Sequence, residues 1–279
     1  MCCVLIFSFT ACSNTQNEDS VFVKEATDSY FRLNETSITN PVKFKHDGVS
    51  VTLSDILYED LVAWFSFNLE NNTESCVNVL VTDLSVNGIM CQDSMIESVE
   101  SKNSKNAYFE ISNEWFSNSL IETIKEIEFT VRLQDSESFE FASSDVLRAL
   151  TNTPKKYVQK YNKDGETVYT DDGALIVFKG LSKSKMSDDT ELSFYIENNT
   201  DSHFSVIANE VYINDTLFMP TFIVSVGGGK KSTESILLTK NELIDAKIEK
   251  ITSVKVSFTA IDKNSNTVFK TKLSDIPVK

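Results

Sequence analysis

Along most of the chain, hydrophobic and polar residues alternate with the period of two that marks a half-buried strand. Val49, Val51 and Leu53 alternate with polar neighbours, and so do Phe65, Phe67 and Leu69. Further strands are expected at 76–86, 94–99 and 106–111, and a longer one carries Ile127, Phe129, Val131 and Leu133, with a short last strand near 138–141. Asn71-Asn72-Thr73 is a turn cluster, because these side chains satisfy local backbone donors and accept left-handed conformations. Asn87-Gly88 is a stronger turn signal, since both residues accept the positive φ of a type I′ hairpin. One short helix interrupts the pattern. Ser112 is its N-cap, Glu114 lies in its first turn, and Phe116 and Leu120 are spaced to face a core.

The same pattern returns 127 residues later, the offset being 193 − 66. Ser66-Phe67-Asn68-Leu69-Glu70-Asn71-Asn72-Thr73-Glu74-Ser75 aligns with Ser193-Phe194-Tyr195-Ile196-Glu197-Asn198-Asn199-Thr200-Asp201-Ser202. Val86-Asn87 then falls on Ile213-Asn214, and Ile121-Glu122-Thr123-Ile124 on Ile248-Glu249-Lys250-Ile251. Between 64–131 and 191–258 no gap is needed, and 15 of the 68 aligned positions are identical. Upstream, Asp47-Gly48 matches Asp172-Gly173 after a two-residue length change. Each copy repeats a run of short strands with one helix, which reads as all-β: two tandem immunoglobulin-like antiparallel β-sandwiches, copy 1 over 41–142 and copy 2 over 167–279. The stretch 143–166 is expected to be a linker with a helical turn at Asp145–Leu150.

The N-terminus has a different character. Val4 to Thr10 are apolar, Ala11-Cys12 follows, and the chain then turns polar through Asn14, Gln16, Asn17, Glu18 and Asp19. Phe9-Thr10-Ala11-Cys12 resembles the lipobox of bacterial lipoproteins. That resemblance implies cleavage before Cys12 and a diacylglyceryl group on its sulfur. No Lys or Arg precedes Cys12, so 1–12 is read as an incomplete signal segment, and 13–40 as a flexible tether. The apolar run is too short to span a bilayer as a helix.

The motif Phe67 to Thr73, the hairpin at Val86-Asn87-Gly88, the Gly/Lys-rich turn Gly227–Lys231 and the segment Ile124-Lys125-Glu126-Ile127-Glu128-Phe129 resemble small Ig-like domains repeated in uncharacterised lipoproteins of Gram-positive, Clostridia-like bacteria. The resemblance implies a surface location and brings no catalytic residues with it.

Composition narrows the chemistry. A formal net charge of −15 repels phosphate backbones, so no nucleic-acid partner is expected. The 19 Phe and 8 Tyr against 8 Gly and 4 Pro suit strands and exclude a Pro-rich stalk. Gly227-Gly228-Gly229-Lys230-Lys231-Ser232 lacks the Gly-Lys-Ser/Thr order of a phosphate loop and reads as a strand-to-strand turn, with Lys230 and Lys231 as a weak anion candidate. His46 and His203 occupy different repeat positions, and no zinc spacing occurs, so no metal or cofactor is expected. Cys76 and Cys91 are not cross-strand partners, since the hairpin register sets Cys91 against Leu84 and Cys76 against Val99. Asp47, Asp171-Asp172 and Asp188-Asp189 read as solvated turn acids.

The expected function is that of a non-enzymatic cell-surface lipoprotein in binding, adhesion or envelope support. It would be held on the extracellular face of the cytoplasmic membrane through its lipid, with an extracellular protein or cell-wall partner. The alternative is an envelope hydrolase, or an inhibitor of one, using a loop pocket that the sequence does not show.

Overall fold

The computed structural model describes residues 31–184 and 187–278. They form twenty strands and two short helices. In the first half these are β1 (Val42–His46), β2 (Val49–Tyr58), β3 (Val62–Asn71), β4 (Val77–Val86), β5 (Ile89–Met90), β6 (Met95–Val99), β7 (Asn103–Ser112), α1 (Asn113–Asn118), β8 (Glu126–Gln134), β9 (Glu140–Ser143) and β10 (Leu147–Leu150). In the second they are β11 (Glu166–Asp171), β12 (Ala174–Lys183), β13 (Thr190–Asn198), β14 (Phe204–Ile213), β15 (Thr216–Phe218), β16 (Ile223–Val226), β17 (Lys231–Leu238), α2 (Lys240–Asp245), β18 (Ser253–Ile261), β19 (Thr267–Lys270) and β20 (Ser274–Pro277).

The strands make three sheets. One has the order β1-β2-β3-β7, and another β15-β14-β18-β19 with β16 and β20 attached. Between them a ten-stranded sheet runs β10-β8-β4-β5-β17-β13-β12-β11. Its two halves are joined at a single parallel pair, Ile89 with Lys231, while every other pairing between the named strands is antiparallel. Alternation explains the layers. In β3 every second residue is buried, so Ala63, Phe65, Phe67 and Leu69 line a core with Val79, Val81, Ile127, Phe129 and Val131 from the facing sheet. A second core gathers Leu192, Phe194, Ile196, Val206, Val211, Val256 and Phe258, and among the described residues Met90 is the one from the first half within it.

The repeat is visible atom by atom. Asn71, fully buried, donates to the carbonyls of Ser75 (2.8 Å) and Val99 (2.9 Å) and accepts from the amide (2.9 Å) and hydroxyl (2.7 Å) of Thr73. Asn198, also fully buried, makes the same bonds to Ser202 (2.8 Å), Val226 (2.9 Å) and Thr200 (3.0 and 2.7 Å). Ser112 and Thr239 cap α1 and α2, each accepting from the amide three residues on, Trp115 and Glu242. Asn87-Gly88 and Asn214-Asp215 turn with positive φ, as do Asp47-Gly48 and Asp172-Gly173.

Three expectations are corrected. The helical turn at Asp145–Leu150 is absent, and Leu147–Leu150 instead pairs antiparallel with β8, which leaves Ala149 fully buried. The tether does not extend to residue 40: Leu33 is buried, Asn34 and Ile38 form bridges with Thr123 and Thr151, and the Thr36 hydroxyl meets that of Tyr58 at 2.8 Å. Cys91 does sit against Leu84, its amide donating to that carbonyl at 2.8 Å, but Val99 pairs with Val77 instead of Cys76. The one-residue slip arises in the loop before β6, because Leu84 to Val81 spans three steps of β4 while Cys91 to Met95 spans four.

Candidate functional site

A gathering of charged and amide side chains lies where the two halves meet. The Asn87-Gly88 hairpin carries the chain from β4 into β5 and presents the Gly88 carbonyl to the edge of β17, where it accepts from the Lys231 amide at 2.9 Å. The hairpin is braced from below. Asn87 Oδ1 accepts from the amides of Lys125 (2.8 Å) and Glu126 (3.2 Å), and Nδ2 donates to Thr123 O (2.8 Å) and to Gln159 Oε1 (2.8 Å). Tyr161 donates its hydroxyl proton to the Asn87 carbonyl at 3.0 Å. The stretch expected to be a linker is therefore a strap, with Gln159 and Tyr161 holding the seam from one side.

Four residues on, Gln92 enters the edge of the second half between β16 and β17. Its Oε1 accepts from the Ser225 amide at 2.9 Å, and its Nε2 donates to the Ser225 carbonyl at 3.1 Å and to Ser232 Oγ at 3.2 Å. A primary amide here matches the donor and acceptor that a further strand would offer to a sheet edge.

Lys230 and Lys231, the anion candidates, face carboxylates of the chain itself. The Lys230 ammonium lies against Glu128 Oε2, which is buried and takes no well-angled hydrogen bond, so the ammonium serves as its counter-charge. Burial pulls the Lys230 pKa down, and Glu126 opposes that shift. Lys231 stands 3.9 Å from Glu197 Oε1 and 4.7 Å above the Tyr161 ring. Lys163 reaches the other Glu197 oxygen at 2.5 Å, so a carboxylate only 7% exposed holds two cations from different segments. Burial, and then Glu197, raise the pKa of Tyr195.

The glycine run is explained by the turn it builds. A Cβ at Gly228 would lie 2.5 Å from the Asp201 carbonyl oxygen, and Gly229 has φ 69. The Lys230 amide closes the turn onto Gly227 O at 3.0 Å.

The other singled-out residues are scattered. Cys12 lies outside the described residues. Cys76 and Cys91 are both free thiols, and burial pushes Cys91 up to about 12. His46 contacts Asp47 (3.4 Å) and Phe141 (centroids 6.1 Å apart) at the β1–β2 turn, whereas His203 sits just before β14 with Nδ1 buried and unbonded. Residues 45–50 with Glu70 and Asn72 line a shallow cleft of about 260 Å³. The Glu70 carboxyl there is held below its usual range by the Ser50 hydroxyl at 2.6 Å and by Lys43. Asp188 pairs with Lys240 at 2.6 Å and Asp189 accepts from the Lys240 amide at 2.9 Å, so these acids dock α2. Among the described residues, no group of three His, Cys, Asp or Glu is placed to hold a metal, and no helix is long and apolar enough to cross a membrane.

Sequence reading missed Glu128, Glu197, Gln92 and Tyr161. The available signal was the repeat itself: position 128 is Glu where its counterpart 255 is Lys, an exchange of charge sign on an otherwise matching strand.

No family model matches the chain, and no curated protein does. Among solved structures it is similar to red sea bream transglutaminase (8% identity, TM-score 0.25), with 84% of this chain covered and about a third, 32%, of that one. It is also similar to the YadV chaperone (12% identity, TM-score 0.24, 77% of this chain and 92% of that one). A third is the Pseudomonas aeruginosa CupB2 chaperone (10% identity, TM-score 0.21, again 77% and 92%). At such scores these likenesses carry no functional argument.

Proposed function

We propose that this chain is a lipid-anchored bacterial surface protein whose body is two tandem Ig-like β-sandwiches, and that it acts by binding, in adhesion or envelope support. The observation that supports the reading is the set of four hydrogen bonds that Asn71 and Asn198 share, at a spacing of 127 along the chain. Duplicated sandwiches offer end loops and strand edges for contact while their cores stay closed. The seam fixes one unit against the other, which suits a rigid spacer that holds a contact surface away from a membrane. The lipobox-like segment ending at Cys12 supplies the anchor, since two acyl chains give stable attachment. The partner is an extracellular protein or a cell-wall polymer.

The test is fractionation in a Gram-positive host, with a secretion leader of that host fused ahead of the lipobox-like segment. Cys12→Ala is expected to move the protein from the membrane fraction to the medium, and the released protein to bind washed envelopes saturably. A variant that stays in the membrane fraction refutes the anchor, and released protein without saturable envelope binding refutes the binding role.

A further inference from the structure

Glu234 is the odd residue on its face of β17. Ser232, Ile236 and Leu238 share that face and are buried, and the register partner of Glu234 is the core residue Phe194. In the first half the equivalent position is Ala107, a core residue 3% exposed. The second half thus places a carboxyl at this core-facing position, two residues along β17 from Ser232, which the Cys91–Ser94 loop reaches through Gln92. That loop is fastened by Gln92 to Ser225 and Ser232, and the next residue is Asp93.

The groups facing Glu234 can be named element by element. The loop brings the Asp93 carboxylate and the Cys91 thiol. β16 carries no titratable residue. On β13, Glu191, Tyr195 and Glu197 stand opposite Leu237, Thr233 and Lys231, away from the Glu234 register position. Burial, and then Asp93, raise the Glu234 carboxyl to about 7.

We propose that the Cys91–Ser94 loop is a pH-responsive latch between the two halves, seated while Glu234 is protonated and loosened when Glu234 ionises across from Asp93. The direction follows from proton linkage. A free glutamate loses its proton near 4.5, whereas the seated form keeps it to about 7. The seated form therefore binds more protons and loses stability as pH rises from 4.5 to about 7. On the surface location proposed above, external pH reaches the loop directly, so the Gln92 contacts would loosen near neutrality while the Lys163–Glu197 and Tyr161–Asn87 contacts keep the halves joined.

Two amides report the latch: Ser225 N–H, bonded to Gln92, and Lys231 N–H, bonded to Gly88. Hydrogen exchange of the full chain is measured at acid and alkaline pH (about 5.5 and about 8.5), each rate divided by its intrinsic value. Protection of both amides is expected to fall about tenfold at the higher pH, while Thr73 N–H, bonded to Asn71 inside the first half, holds. Glu234→Gln should abolish the fall, and Asp93→Asn should reduce it. Equal protection at both pH values, an unchanged fall in Glu234→Gln, or an equal fall at Thr73 would each overturn the latch.

Discussion

Glu70 and Glu197 occupy the same place in the two copies, each preceding the buried asparagine that ends its strand. Glu70 is half exposed, meets Ser50 and Lys43, and borders a shallow cleft. Glu197 is buried between Lys163 and Lys231. The same divergence recurs at the next strand edge. In β17 the Lys231 amide bonds to Gly88 of the other half, but in β7 the equivalent Ser104 amide is capped by its neighbour Asn103 Oδ1 at 2.8 Å. Side chains that set backbone geometry are kept in both copies, and those on an edge change with what the edge meets. The cores show a gentler form of this. Phe67 packs edge-to-face on Phe129 at 5.4 Å, and Phe194 packs likewise on Phe258 at 5.3 Å, so Phe129/Val131 in one copy becomes Val256/Phe258 in the other. The two residues exchange places along one face at nearly constant total volume, which packed cores tolerate.

If the copies are equivalent in what holds their backbones, the largest effects should be equal. Asn71→Ala and Asn198→Ala each remove four matching hydrogen bonds of a buried side chain and cost the Val99 or Val226 carbonyl and the Thr73 or Thr200 amide a partner. Each is expected to cost about 3 to 5 kcal/mol, read as a lowered urea midpoint of the transition that includes its own half. A cost in one copy only would show that the matching geometry conceals different roles.

The next effect should be unequal. Glu197→Ala leaves Lys231 largely buried without its carboxylate. Breaking a buried pair can cost about 3 to 5 kcal/mol, but Lys163 is half exposed, so about 2 kcal/mol is expected here. Glu70→Ala should cost less, because Lys43 is already wet and only the buried Ser50 hydroxyl loses its acceptor. The pair of denaturation curves separates a seam that contributes to stability from one that merely touches.

These contrasts also explain what was legible in the sequence. The alternation of Phe65, Phe67 and Leu69, the Asn-Gly turn and the Ser112 cap are local signals, and each lies where it was expected. Leu147-Arg148-Ala149-Leu150 misled because its residues favour helix when taken alone. Its counterpart, Ser274-Asp275-Ile276-Pro277, ends in proline and is a poor helix, so the repeat already favoured a strand. The seam was hidden for a different reason. Gln92, Glu128 and Tyr161 are polar residues with no periodic partner, and only the folded chain brings them to β16 and β17, more than sixty residues away in sequence.

The smallest effect concerns the hairpins. Asn87-Gly88 places glycine where φ is 80, whereas Asn214-Asp215 places an aspartate at φ 65, a conformation that costs a side-chain-bearing residue. Asp215 also meets Lys255 at 2.6 Å, but the pair is open to solvent and screened. Asp215→Gly therefore trades a weak ion pair for relief of backbone strain, less the extra freedom glycine gives the unfolded chain. The net gain should be about 0.5 kcal/mol, seen as a slightly raised midpoint. If the variant is instead destabilised, the Asp215–Lys255 contact matters more than its exposure indicates, and position 255 has a role in the second copy that Glu128 has in the first.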